Sequence, residues 1–163
     1  MDSFSVACCV YCYMGYEEKF AEQVSGVKVI VPYKIRRERE KGCWLDKKIK
    51  LIPGYAFVYA DSIQEIIDST GKFRVRLLSY PDKTYALHGA DLEVARWVWN
   101  NFGVIGVSYA VHEKDKVKIV SGALKENEGI ITRLDRRHRL ALVELKIGMR
   151  IWLSYDWLDN KAS

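Results

Sequence analysis

The sequence predicts an α+β protein in two parts: an antiparallel sheet flanked by helices, then a small β-barrel. Three observations carry that prediction. Phe4–Tyr13 is almost wholly apolar and rich in β-formers, which marks a central strand buried on both faces. Helical stripes alternate with strand-like segments as far as Asn101. Beyond His112, strand-like runs recur about every ten residues, the spacing of a small barrel.

Gly15 ends the first strand, and Tyr16–Val24 follows as a short helix with Phe20, Ala21 and Val24 inward. Glu17, Glu18, Lys19 and Glu22 are expected mostly in water. Lys28–Pro32 is a second strand entering the arm Tyr33–Lys50, which is too charged for a core. Its Gly42 break predicts a hairpin or a mobile loop. Lys48–Ala60 is a strand bent at Pro53-Gly54, where proline leaves a ladder hydrogen bond unmade. Ser62-Ile-Gln-Glu65 fits a capping box for a helix buried through Ile63, Ile66 and Ile67. Phe73–Leu78 is a further strand, Tyr80–Gly89 a turn-rich connection, and Ala90–Asn101 a third helix containing Trp97 and Trp99. The order β-α-β-β-α-β-α fits helices packed on one antiparallel sheet. Residues 1–103 then form a first domain, 104–112 a linker and 113–163 a second domain. Lys116–Ser121, Gly129–Leu134, Leu140–Lys146 and Met149–Ser154 are the strands of the second, with sharp bends at Gly122 and Gly129.

An apolar fraction of 49% suffices for a packed core. No apolar run approaches the ~20 residues of a membrane span. Asp2 precedes the apolar Phe4–Tyr13 and no small-residue cleavage site follows, so no secretory signal is expected. The protein is expected to be soluble and cytoplasmic, a monomer without membrane association. Cys8, Cys9 and Cys12 fall in one strand, and Cys9-Val-Tyr-Cys12 lacks a matching second pair. Together with Cys43 they read as buried reduced thiols, and no metal or cofactor is expected. His88, His112 and His138 lie apart, Ser and Asp show no triad logic, and no glycine loop cradles phosphate. The sequence therefore points to a protein that is not an enzyme.

Charge is the stronger signal. Between Lys34 and Lys50 stand eight bases and three acids, and residues 113–163 carry eleven bases and eight acids. Two separated basic zones point to nucleic acid. In the first, Arg36, Arg37, Arg39, Lys47 and Lys48 are candidate DNA contacts, with a solvated hairpin as the alternative. In the second, Arg133 and the tip Asp135-Arg-Arg-His-Arg139 are flanked by Lys116, Lys118 and Lys125. Arg in a turn suits RNA, since its planar fork pairs with phosphate or guanine and stacks on unpaired bases. The candidate RNA-binding residues are Lys116, Lys125, Arg133, Arg136, Arg137, His138 and Arg139. The alternative is a solvated turn in which Asp135 neutralises one base.

The chain resembles the NusG family of transcription elongation factors over nearly its whole length. Tyr11-Cys-Tyr-Met-Gly-Tyr-Glu-Glu-Lys19 is similar to the opening of the NusG N-terminal domain. Ile52-Pro-Gly-Tyr-Ala-Phe-Val58 is similar to that domain's signature strand, although Ile52 stands where the family usually has Phe. Lys116–Leu145 resembles the KOW motif, with its Ser-Gly-x-Leu-Lys opening and Glu-Gly-Ile-Ile core. The resemblance implies a NusG-type α/β sandwich that docks on RNA polymerase, followed by a KOW barrel. Family positions for the polymerase contact fall on Tyr11, Ile52, Pro53, Tyr55 and Phe57, and Tyr13 joins Tyr11 on the same strand face. Aromatic side chains there would supply rigid contact area at low entropic cost.

The basic barrel resembles that of the specialised LoaP-type antiterminators, which implies a nascent RNA hairpin as second partner and suppression of pausing and termination over a target operon. Two alternatives remain. One is a general elongation factor whose barrel binds a ribosomal protein or Rho. The other is a ribosome-associated KOW protein.

Overall fold

The computed structural model describes residues 3–126 and 131–160. Along the chain run β1 (Val6–Tyr11), α1 (Glu17–Gln23), β2 (Lys28–Ile30), β3 (Tyr33–Glu40), β4 (Cys43–Lys50), β5 (Tyr55–Ala60), α2 (Ile63–Thr70), β6 (Arg76–Leu77) and α3 (Gly89–Asn100). There follow β7 (Val104–Ile105), β8 (Ser108–Glu113), β9 (Lys116–Ser121), the single turn α4 (Ala123–Glu126), β10 (Ile131–Asp135), β11 (Leu140–Glu144) and β12 (Arg150–Trp157). A 3-10 turn, Leu158–Asn160, ends the described chain. The fold is α+β. No helix among the described residues is long and apolar enough to cross a membrane. Gly129, and the start of the strand expected from it, lie outside the described residues.

Two compact units emerge, and their boundaries differ from the expected ones. The described part of Met1–Pro32 joins Ile52–Gly103 in the first, while Tyr33–Leu51 joins the described part of Val104–Ser163 in the second. The basic arm is thus part of the second unit. The segment expected as a linker is strand: β7 lies parallel to β3, and β8 sits inside a sheet between β12 and β9. Its small residues Ser108 and Ala110 are buried, and that alternation is short enough to pass for a connection in sequence.

In the first unit, an antiparallel sheet runs β2-β5-β1-β6. Alternation along β1 and β5 sends Cys8, Val10, Ala56, Val58 and Ala60 to one face, where they pack with Phe20 of α1 and Ile66 of α2. The other face carries Cys9, Phe57 and Tyr59, all fully buried. There Tyr59 donates its hydroxyl to the Ala95 carbonyl of α3 at 2.7 Å and meets Trp99 edge-on at 4.8 Å. Helices therefore cover both faces of the sheet, which is why β1 is apolar throughout. Ser62 caps α2, its Oγ accepting from the Glu65 amide at 3.3 Å, and Glu65 returns to the Asp61 amide at 3.2 Å. Tyr80 stabilises the connection before α3 by donating to the buried Asp91 at 2.6 Å and stacking on His88. The strand expected over Phe73–Leu78 shrinks to the two residues of β6.

In the second unit, five strands run β10-β11-β12-β8-β9, antiparallel except for β12 against β8. Residues from both edge strands, Lys116–Ile119 side and Ile131 with Leu134, line one cleft of about 560 Å³, so the sheet curls back towards itself. Gly122 is obligatory at its bend: φ is +89°, and a Cβ there would stand 2.7 Å from the Ser108 Cα. The arm is a regular hairpin with Tyr33 opposite Lys50 and Glu40 opposite Cys43. Its two-residue turn, Lys41-Gly42, takes φ of 50° and 80°, as a type I′ turn requires.

Cys8, Cys9 and Cys12 are buried, but Cys43 is exposed at the hairpin turn, contrary to its expected burial. Burial pushes the Cys8 thiol up to about 12 and the Cys9 thiol higher still. Because the thiolate is the nucleophile, a thiol-reactive dye at neutral pH should label Cys43 alone in the folded protein and all four cysteines in denaturant, as peptide mass mapping would register.

Candidate functional site

Each unit carries one candidate surface. On the first, β1 ends at Tyr11, where the Cys12 amide donates to the Gly54 carbonyl at 2.7 Å. Ile52-Pro53-Gly54-Tyr55 closes a turn, with the Tyr55 amide on the Ile52 carbonyl at 3.1 Å. Proline at the second place and Gly54 at φ +91° fit a type II turn. Gly54 is needed twice over, since a Cβ there would lie 3.1 Å from the Tyr11 ring. Beneath the turn sits Glu17, which the sequence placed in water and the fold buries almost completely. Its carboxylate accepts from the Gly54 amide at 2.9 Å and from the Gly15 amide at 2.5 Å. One buried acid thus fastens the Gly54 turn to the loop after β1.

Those fastenings hold three tyrosines together. Tyr11 lies 4.7 Å from Tyr13 and 5.1 Å from Tyr55, centroid to centroid, with the Arg76 guanidinium 5.7 Å from the Tyr11 ring. Tyr13 reaches the cluster through left-handed backbone, φ 67°, beyond the strand end. Tyr13 is 55% exposed and the neighbouring Met14 75%, so the cluster opens outward. Pro53 is also exposed. Ile52 and Phe57 are not part of this surface. Phe57 points into the core with no accessible area, and Ile52 is buried to all but 8% of its surface.

On the second unit, the buried Asp156 of β12 is the organising group. One carboxylate oxygen accepts from Arg37 of β3 at 2.8 Å, the other from Arg139 at 2.6 Å and from the Trp157 amide at 2.7 Å. Arg37 also meets Asp46 at 3.2 Å, and the Arg139 guanidinium sits 4.8 Å over the Trp44 ring. The hairpin is thereby tied to the sheet. Elsewhere on it, Glu38 pairs with Arg36 at 3.2 Å and with Lys47 at 3.0 Å, Lys47 pairs with Glu40 at 3.5 Å, and Lys48 lies over Tyr33. Of the five candidate DNA contacts, only Arg39 makes no such interaction among the described residues.

The tip between β10 and β11 is held from within. Asp135 accepts from the His138 amide at 3.0 Å and meets its ring Nδ1 at 2.9 Å. These hydrogen bonds keep the Asp135 carboxyl below its usual range. Asp135 is therefore matched to His138, and Arg136 and Arg137 stay exposed without an ion pair among the described residues. Arg133 is exposed on β10 and Lys116 on β9, while Lys125 lies in α4 at the far end of β9. Arg139, expected to bind RNA, is instead committed to Asp156.

Searched against protein-family models, the chain matches none, and no curated protein matches it. The surfaces must be read on their own chemistry. Among the described residues, no group of three or more His, Cys, Asp or Glu is arranged to hold a metal.

A cleft of about 260 Å³ opens beside the tip, lined by Lys34, Arg36, Asp135, Leu140 and Trp152. The Lys34 ammonium donates to the Trp152 carbonyl. Burial first, then the adjacent Arg36, bring its pKa down to about 8. Sequence gave no sign of this, because Lys34 is one of eight similar bases in its segment.

Two predictions follow from these geometries. Above pH 8 folded Lys34 has lost a proton that the unfolded chain retains up to about 10.4, so this group makes stability rise with pH across that window. Urea melts from pH 7.5 to 9.5 should show that rise reduced in Lys34→Met relative to the parent. Separately, Asp156→Ala leaves two arginines facing a partly buried gap and should cost about 3 kcal/mol in the same melts, with Asp46→Ala, an exposed partner, costing less than about 1 kcal/mol.

Proposed function

We propose that this chain is a NusG-type antitermination factor of the LoaP kind, a non-enzymatic protein that grips RNA polymerase with its first unit and nascent RNA with its second. The observation that carries the reading is the outward-facing cluster of Tyr11, Tyr13 and Tyr55. It occupies the positions at which the NusG resemblance implies an anchor for the polymerase clamp. Three aromatic rings preset by the Gly54 turn offer contact area with little entropy left to lose, as an interface anchor needs.

The second unit supports the RNA half. Arg136 and Arg137 project from a turn whose own acid is occupied by His138, so their charge is available to phosphate. Ion pairing engages Arg36, Arg37 and Lys47, and leaves Arg39 and Lys48 as the hairpin's candidate DNA contacts without an ion pair among the described residues. In this reading the factor acts as a cytoplasmic monomer without cofactor.

Tyr55→Ala should weaken binding to bacterial RNA polymerase roughly 30-fold, the effect of a ~2 kcal/mol hot spot, and leave RNA affinity unchanged. Arg136→Ala with Arg137→Ala should do the reverse, and lower the salt dependence of RNA binding by about two counterions. Pull-down of polymerase and filter binding of a leader RNA hairpin separate the two. Equal loss of both activities in either variant would defeat the proposed division.

A further inference from the structure

The two faces of the β3–β4 hairpin have different chemistry. Strand alternation groups Arg36, Glu38, Glu40 and Lys47 through mutual ion pairs, which cancel most of their charge. The alternate positions hold Arg37, Arg39, Trp44 and Asp46, with Arg39 directly opposite Trp44. Trp44 is a large ring that the fold leaves 40% exposed. The Arg139 guanidinium lies 4.8 Å from its centroid and is itself pinned by Asp156 at 2.6 Å. His138 lines the same crevice as Trp44 and Arg139. Arg39, Arg136 and Arg137 make no ion pair among the described residues. The result is one exposed indole backed by the paired Arg139, with Arg39 opposite it on the hairpin and Arg136 and Arg137 next to His138 in the chain.

We propose that Trp44 is a stacking platform for an unpaired RNA base, with Arg39, Arg136 and Arg137 taking the phosphates on either side. This rests on the RNA-binding reading and adds to it a residue, an element and a substrate feature. An indole with one side fixed against a guanidinium presents its remaining π surface already ordered, which suits a base that has left its stack. One aromatic ring accompanied by cations matches one unstacked base and its flanking phosphates on a single strand. A perfectly paired duplex keeps its bases stacked on one another and cannot use the ring. The hairpin is thereby part of the RNA surface, in place of a separate DNA-binding arm.

Full-length protein would be titrated with three probes: an RNA hairpin whose single-stranded loop carries 2-aminopurine, a fully paired RNA of equal length, and single-stranded DNA of the loop sequence. Trp44→Ala should weaken the looped RNA about 5- to 100-fold and abolish the change in 2-aminopurine fluorescence, while duplex affinity stays at the parent value. Trp44→Tyr should restore most of both, and Leu45→Ala, at the adjacent exposed position, should match the parent. Thermal melts would confirm that each variant is folded, and if Trp44→Ala is not, Trp44→Tyr against Trp44→Leu gives the same comparison. Looped-RNA binding unchanged in Trp44→Ala overturns the platform and leaves the RNA reading intact. Equal loss on loop and duplex also overturns it, because the ring would then only support Arg139. Tighter binding of the single-stranded DNA overturns the assignment to RNA. If the parent protein binds no RNA probe, the RNA-binding reading itself falls.

Discussion

The second unit depends on a carboxylate placed out of water. Asp156 is almost wholly buried, and removing an ion from solvent costs roughly several kcal/mol even after relaxation. Two guanidiniums and a backbone amide repay that cost, and they come from three separate stretches of chain. Arg37 brings in the hairpin, Arg139 the end of the tip, and Trp157 the strand bearing the acid. An arginine pair with one acid has direction as well as strength, so the hairpin is held in one orientation. The exposed ion pairs along the hairpin contribute far less, since water screens them and their long side chains lose entropy.

Glu17 plays a comparable part in the first unit. It too is a buried acid, and it spends its charge on backbone amides at Gly15 and Gly54. Those amides belong to the two turns that carry Tyr11, Tyr13 and Tyr55. In each unit, then, a hidden carboxylate shapes a surface made of other residue types. Each of these carboxylates accepts hydrogen bonds on both of its oxygens.

This arrangement also sorts the basic residues. Sequence presents them as two zones of undifferentiated positive charge. The fold divides them into structural cations (Arg37 and Arg139), mutually cancelled ones (Arg36 and Lys47), one desolvated amine (Lys34), and those left to solvent (Arg39, Arg136 and Arg137). The last group, together with the exposed Lys48, Lys116 and Arg133, makes no ion pair among the described residues and keeps its charge for a ligand. Net charge alone would have assigned all of them to nucleic acid.

Local sequence determined a good deal. The apolar run at β1, the capping box at Ser62, the Pro53-Gly54 bend and the evenly spaced strands after His112 each follow from short-range rules, because alternation, capping and turn geometry are properties of a few neighbouring residues. The tertiary structure decided what those rules cannot reach. It put β7 and β8 into sheets, gave the hairpin to the second unit, buried Glu17 and Phe57, and exposed Cys43. Asp156 meets Arg37 across 119 residues of chain and Arg139 across 17, and a charge's partner at such distances leaves no trace in its immediate neighbours. Whether an arginine holds the fold or faces solvent is set by that partner, and only the folded chain supplies it.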